Sequence, residues 1–144
     1  MPTSPQRELF NLTRKTILAN QVEFADSFWA RTRGLIGRRQ ISDDFALVIK
    51  PCHGIHTLFM STTIDVAYVS REGRVVRVLH DFKPWRVGPI DWRCNWVIEL
   101  SAGLARRTGL HATDLVGLVR AQSTLPERTP SDNSPHVSRK ASTP

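Results

Sequence analysis

Between residues 45 and 120 the chain reads as a succession of short apolar runs, each closed by turn-forming residues. That pattern leaves room for little besides a mainly β fold. The runs are Phe45 to Lys50 (FALVIK), Ile55 to Met60 (IHTLFM), Ile64 to Ser70 (IDVAYVS), Arg74 to His80 (RVVRVLH), Trp96 to Leu100 (WVIEL) and Leu115 to Arg120 (LVGLVR). Lys15 to Phe24 supplies an earlier β segment with a break near Asn20-Gln21. The firmest local expectation is a hairpin. Ile64–Ser70 and Arg74–His80 flank Arg71-Glu72-Gly73, where the glycine can take the positive φ of a tight turn.

Two short helices are expected to interrupt the strands. Asp26 or Ser27 is placed to cap FWARTRGLIG, which ends at Gly37, with Phe28, Leu35 and Ile36 toward the sheet and Arg31 and Arg38 solvated. Ser101 is placed to cap AGLARRTG, which ends at Gly109. The expected architecture is a small sandwich-like or partly closed barrel domain with two short helices. The chain of 144 residues has room for one such domain. Residues 122–144 hold twelve Ser, Thr or Pro and no aromatic, too little apolar surface to offset ordering entropy. The expected division is a flexible N-terminus over 1–11, a β-rich domain over 12–121 and a disordered tail over 122–144.

Composition narrows the function classes. No apolar stretch approaches the length of a membrane span, and residues 1–21 lack the apolar core of an export signal, so the expected location is cytoplasmic. Two cysteines, Cys52 and Cys94, do not make a disulfide framework. The formal net charge is +7, from sixteen Arg and four Lys against thirteen acids, but the basic residues are scattered rather than massed. Scattered charge reads first as solubility and only secondarily as a nucleic-acid footprint. Nucleotide-binding glycine loops, nucleophile elbows and HExxH are missing from the sequence, and no cofactor is expected.

Five segments in order, RTRGLIGR at 31–38, IHTLFM at 55–60, IDVAYV at 64–69, GRVVRV at 73–78 and VIELSAG at 97–103, resemble the bacterial and archaeal family called domain of unknown function 192. The resemblance covers roughly residues 14–120 and implies a compact β-rich domain of about a hundred residues, with no established activity. By position it marks Arg33, Gly34, Leu35, His56, Met60, Ile64, Asp65, Glu99, Leu100, Gly103 and Asp114. The chain departs from the family pattern at Thr113-Asp114, where relatives carry Gly-Asp. Threonine disfavours the positive φ that a glycine there would supply.

Three clusters are candidates for a site. Asp65 lies in a strand whose two faces are both apolar, so its carboxylate is expected to be buried and paired, with Arg33 as the partner. A structural ion pair is the plainer reading and a ligand anchor the functional one. Glu99, in VIEL, repeats the problem. Two carboxylates facing one cavity would suit acid–base work. Cys52, His53 and His56 are zinc-ligand types at poor spacing, so His56 is expected to be a hydrogen-bonded structural residue and no metal is expected. The third cluster is KPWRVGPIDWRCNW at 83–96, a loop with three Trp and two Arg, in which Trp85 and Arg86 are the expected ligand-facing pair and Trp96 is core.

The candidate ligand-binding residues are therefore Arg33, His56, Asp65, Trp85, Arg86 and Glu99, with no catalytic set. The leading expectation is a non-catalytic binding or accessory module. It would present the 81–95 loop and the Met60–Thr63 turn to a small polar ligand, a glycan or a protein partner. The alternatives are an enzyme using Asp65, Glu99 and His56 in one pocket, and nucleic-acid binding through Trp85, Arg86, Trp92 and Arg93.

Overall fold

The computed structural model describes residues 6–25 and 35–121. Among these residues eight strands form two sheets. They are β1 (Arg7–Asn11), β2 (Thr16–Ala19), β3 (Gln21–Ala25), β4 (Phe45–Ile49), β5 (Ile64–Val69), β6 (Val75–Phe82), β7 (Trp96–Ser101) and β8 (Val116–Arg120), with one helix, α1 (Leu104–Arg107), after β7. The smaller sheet has the order β2-β1-β8 and the larger the order β3-β4-β7-β5-β6. Among these eight strands only β3 and β4 pair in parallel; the other neighbours are antiparallel. The architecture is mainly β, two sheets that do not close into a barrel.

The sequence pattern explains which strands lie at the centre. Every residue of β4, β5 and β7 is buried, which is why these runs are continuously apolar rather than alternating. On one face of the larger sheet Ala46, Val48, Ala67, Ile98 and Leu100 pack with Leu9 and Leu18 of the smaller sheet and Leu104 of α1. On the other face Leu47, Val66, Tyr68 and Val97 pack under Leu35, Ile55 and Met60. Each fully buried aliphatic side chain contributes roughly 1.5–3 kcal/mol. A large-to-small change at Ile98 or Val66 therefore removes a sizeable part of the fold's stability.

The β5–β6 hairpin forms as expected, with Gly73 at φ 89. A Cβ on that glycine would lie 2.7 Å from the Val116 carbonyl oxygen, so the turn is docked on β8 as well as bent. The break expected near Asn20 separates β2 from β3 and sends them to different sheets.

Four expectations need correction or limits. Among the described residues there is one helix, not two; the segment assigned to the first helix lies mostly outside them, and residues 35–37 form a turn. Ser101 does not cap α1, because it is the last residue of β7 and its hydroxyl donates to the Ser42 carbonyl. IHTLFM is not a strand; only His56 makes an isolated bridge, to Val87. Finally, Arg7–Asn11, expected to be loose, is the middle strand of the smaller sheet, held between β2 and β8. Residues 122–144 lie outside the described residues.

Candidate functional site

The segments 52–60 and 85–95, with Gly54 in the first and Gly88-Pro89 in the second, form no regular strand, yet their backbones are hydrogen-bonded to each other along their length. Cys52 N–H donates to Asn95 O at 2.9 Å, Asp91 N–H to His53 O at 2.8 Å, Gly88 N–H to Ile55 O at 2.8 Å, Thr57 N–H to Arg86 O at 2.8 Å and Trp85 N–H to Thr57 O at 2.9 Å. The Thr57 hydroxyl fastens the end of this zipper, donating to Lys83 O at 2.6 Å and accepting from Arg86 N–H at 3.0 Å. Irregular loops with their backbone groups satisfied in this way are rigid supports rather than floppy connections.

The zipper is also fastened to the core. The Tyr68 hydroxyl rises from the larger sheet and donates to Pro89 O at 2.8 Å, and burial pushes the phenol well above its ordinary pKa. Gly88 passes directly over this contact. A Cβ there would meet Ile55 Cγ2 at 2.8 Å and Tyr68 Oη at 3.0 Å, so the close approach requires glycine.

Both segments turn large apolar side chains outward, an exposed set termed the aromatic apex. Phe59, Trp85, Val87, Ile90 and Trp92 are each between 59 and 79% exposed, an unusual concentration of large apolar groups in water. Phe59 and Trp85 meet edge to face with centroids 4.9 Å apart, and Trp92 leans on His53 at 5.2 Å. Phe59 and Trp85 both hold positive φ, 64° and 59°, a costly conformation for aromatic residues that the zipper enforces. Trp96, by contrast, is core and donates its indole N–H to Ser70 O at 2.7 Å.

The charged groups of the loop are largely spoken for. Arg93 makes a two-pronged contact with Asp91, Nε to Oδ1 at 3.0 Å and Nη2 to Oδ2 at 2.7 Å. The Arg93 guanidinium, helped by Arg77 at 3.8 Å, holds the Asp91 carboxyl down at about 2. Cys94 Sγ donates to Trp96 O at 2.9 Å, and burial raises its pKa to about 11, far from a nucleophile's range. His53 Nδ1 faces the Cys94 carbonyl at 2.5 Å, and Cys52 Sγ donates to Gly54 O at 2.8 Å.

Among the described residues, the sequence-derived candidates Asp65 and Glu99 do not share one face. Trp85 and Arg86 are on the apex rim, both exposed. His56 lies beneath it, and its Nδ1 is buried with no hydrogen-bond partner among the described residues, contrary to the expectation that it would be satisfied. Asp65 and Glu99 point to opposite faces of the larger sheet. Asp65 pairs with Leu100 and faces α1, whereas Glu99 pairs with Val66 and faces the Leu35 and Met60 side. Arg33, the partner expected for Asp65, lies outside the described residues. Among the described residues Asp65, fully buried, accepts two backbone N–H bonds, from Asp81 at 3.0 Å and Ala105 at 3.0 Å. Glu99 is buried with Oε2 unpaired among the described residues, and desolvation raises its pKa to about 8, against a smaller opposing pull from Arg38.

Sequence reasoning missed Phe59, Val87 and Ile90 as surface residues. The only signal available was their place beside Gly and Pro, which argues for a loop but not for which side chains it turns outward. No group of three or more potential metal ligands occurs among the described residues, nor any helix long and apolar enough to cross a membrane.

Comparison with known proteins places this geometry in a family. The profile of DUF192, described as an uncharacterized ACR, matches residues 10–118. A UPF0127 protein of Thermococcus gammatolerans is 30% identical over 115 residues, spanning 75% of this chain and 72% of its own length. A UPF0127 protein of Pyrococcus horikoshii is 33% identical over 102 residues, spanning 67% of this chain and 85% of its own. The crystal structure of a protein of unknown function from Novosphingobium aromaticivorans superposes with a TM-score of 0.67 at 19% identity, covering 81% of this chain and 89% of that one. At that identity the likeness shows the fold alone.

Proposed function

The chain belongs to the DUF192 family, and from that premise we propose that its domain is a non-catalytic binding module whose working surface is the aromatic apex. The observation that carries the proposal is the exposure of Phe59, Trp85, Val87, Ile90 and Trp92 on two loops zippered to each other and pinned to the core by Tyr68. Exposing such groups in water is unfavourable unless a partner covers them, and holding them rigid lowers the entropy lost on binding.

The chemistry favours a protein partner over a glycan. Sugar recognition needs several hydrogen-bonding groups beside the stacking ring; between the two tryptophans the exposed Val87 and Ile90 are aliphatic and Asp91 is taken up by Arg93, which leaves Arg86 as the polar neighbour. Tryptophan flanked by aliphatic residues and rimmed by arginine is the composition of a protein–protein hot spot. The enzyme reading loses its acid–base pair to the opposite orientation of Asp65 and Glu99. The nucleic-acid reading loses Arg93 to its carboxylate partner. A cytoplasmic setting is part of the same proposal, supported by the two-cysteine composition.

The test is site-directed photo-crosslinking in the native cells. A photoreactive amino acid in place of Trp92 is expected to yield one discrete protein adduct, and the same group in place of exposed Arg106 none. The adduct should disappear when Trp85→Ala and Ile90→Ser are added. Absence of any adduct dependent on the apex, together with a rise in melting temperature on adding an oligosaccharide, would move the reading to a glycan.

A further inference from the structure

A second surface shares no residue with the apex. Between β3 and β4 of the larger sheet and β8 of the smaller lies a groove of about 960 Å³, near the upper end of the range for small-molecule sites. Its apolar lining includes Phe24, Trp96 and Leu118. Its cations are Arg7, Lys50 and Arg71.

These cations differ from several others in the protein. Arg14, Arg38, Arg77, Arg93 and Arg106 each lie against a carboxylate, whereas among the described residues Arg7, Lys50 and Arg71 make no salt bridge. Two of them are held over the groove's own rings. Arg7 Cζ lies 5.4 Å from the Phe24 centroid and Lys50 Nζ 5.9 Å from that of Trp96. An aromatic face attracts a cation without neutralising it, so the charges stay available to an anion. Arg71 is set by the tight turn whose Gly73 abuts the Val116 carbonyl. The one acid of the lining, Glu72, accepts a hydrogen bond from the Ser70 hydroxyl at 2.8 Å and leaves the groove with a surplus of two positive charges.

An apolar trough with a surplus of positive charge on its rim selects a molecule with one anionic end and one apolar body. We propose that this groove binds a single-chain anionic amphiphile of the fatty-acid class. Its carboxylate would lie among Arg7, Lys50 and Arg71, and its chain along Phe24, Trp96 and Leu118. Charge complementarity orients the ligand, and burial of the chain supplies most of the affinity.

Isothermal titration of the full chain with dodecanoate below its micelle concentration tests this, with dodecyltrimethylammonium, inorganic phosphate and anionic phospholipid vesicles as separate arms. The expected result is one-to-one binding of dodecanoate, at least about tenfold tighter than either the cationic amphiphile or phosphate. Lys50→Glu and Arg71→Glu, both on exposed side chains, should each weaken it by about tenfold with an unchanged melting temperature, while Trp92→Ala should leave it untouched. Several results would overturn the assignment: no dodecanoate binding, equal binding of the cationic amphiphile, phosphate binding as tightly as dodecanoate, or binding to vesicles only. Loss of binding in Trp92→Ala alone would also overturn it, by placing the ligand on the apex. Because the groove and the apex have separate variants, failure here leaves the apex proposal standing.

Discussion

The carboxylate of Asp65, on strand β5, caps helix α1 by accepting the backbone N–H of Ala105 at 3.0 Å. The helix has no cap of its own. Its N-cap position is Gly103, at φ 79 and without a side-chain hydrogen bond, so an acid forty residues earlier does the work that a local Ser or Asp usually performs. The second oxygen of Asp65 accepts the Asp81 N–H, and the Asp81 side chain pairs with Arg106, so β5, the bulged part of β6 and α1 are joined through one buried acid.

Asp65→Ala leaves two backbone donors without an acceptor in a fully buried place. The expected loss is about 3 kcal/mol or more, read by urea unfolding. Asp65→Asn keeps one acceptor and sets an amide N–H against the other donor, for a loss of about 2 kcal/mol. A loss below about 0.5 kcal/mol for the alanine variant would show that the cap is not energetically real.

Glu99 should give the protein an unusual alkaline weakness. Desolvation raises its folded pKa from the ordinary 4.5 to about 8. Below pH 4.5 the carboxyl is protonated in both states. Between 4.5 and about 8 the unfolded chain releases the proton and the folded chain keeps it, so stability falls as pH rises, and above about 8 the contribution is level. The accumulated loss is on the order of 5 kcal/mol. Glu99→Gln, an isostere of the protonated form, should match the native protein at pH 5 and exceed it clearly at pH 9. Chemical denaturation at the two pH values decides this, and parallel pH profiles for the two proteins would refute it.

Thr113 holds φ 78, the left-handed conformation that a β-branched residue tolerates poorly. Its interactions are main-chain ones. The N–H donates to Val75 O at 2.8 Å, and the carbonyl accepts from Arg74 Nη1 at 2.9 Å. Thr113→Gly keeps both and removes the strain, for a gain of about 1 kcal/mol and a melting temperature higher by about 4 °C. A melting temperature that stays level or falls would mean that the turn carries no strain.

Gly88→Ala tests the zipper. The new methyl would lie 2.8 Å from Ile55 Cγ2 and 3.0 Å from Tyr68 Oη, so the loop must lift. The expected cost is about 2 kcal/mol, together with faster amide exchange at Gly88 and Asp91, whose N–H groups bond Ile55 O and His53 O. Tyr68→Phe should cost about 1 kcal/mol by leaving the Pro89 carbonyl unpaired. Unchanged exchange in both variants would contradict the account of a rigid support.

What the sequence determined by itself is whatever local pattern and composition decide. Continuous apolar runs marked β4, β5 and β7 as strands buried on both faces, Gly73 marked the hairpin, and acids inside IDVAYV and WVIEL had to be buried. At Thr113 the residue's dislike of positive φ was legible, because φ preferences are local, but that the turn keeps φ 78 all the same was not. Tertiary structure alone decided the rest, because each item depends on register or on partners far along the chain. Which face Asp65 and Glu99 take depends on the pairing of β5 with β7, and a shift of one residue would exchange them. β1 is ordered by β8, more than a hundred residues later, and short strands carry little signal of their own. The apex exists only because residues 53–60 and 85–92 hydrogen-bond to each other, and no periodicity in either segment announces that meeting.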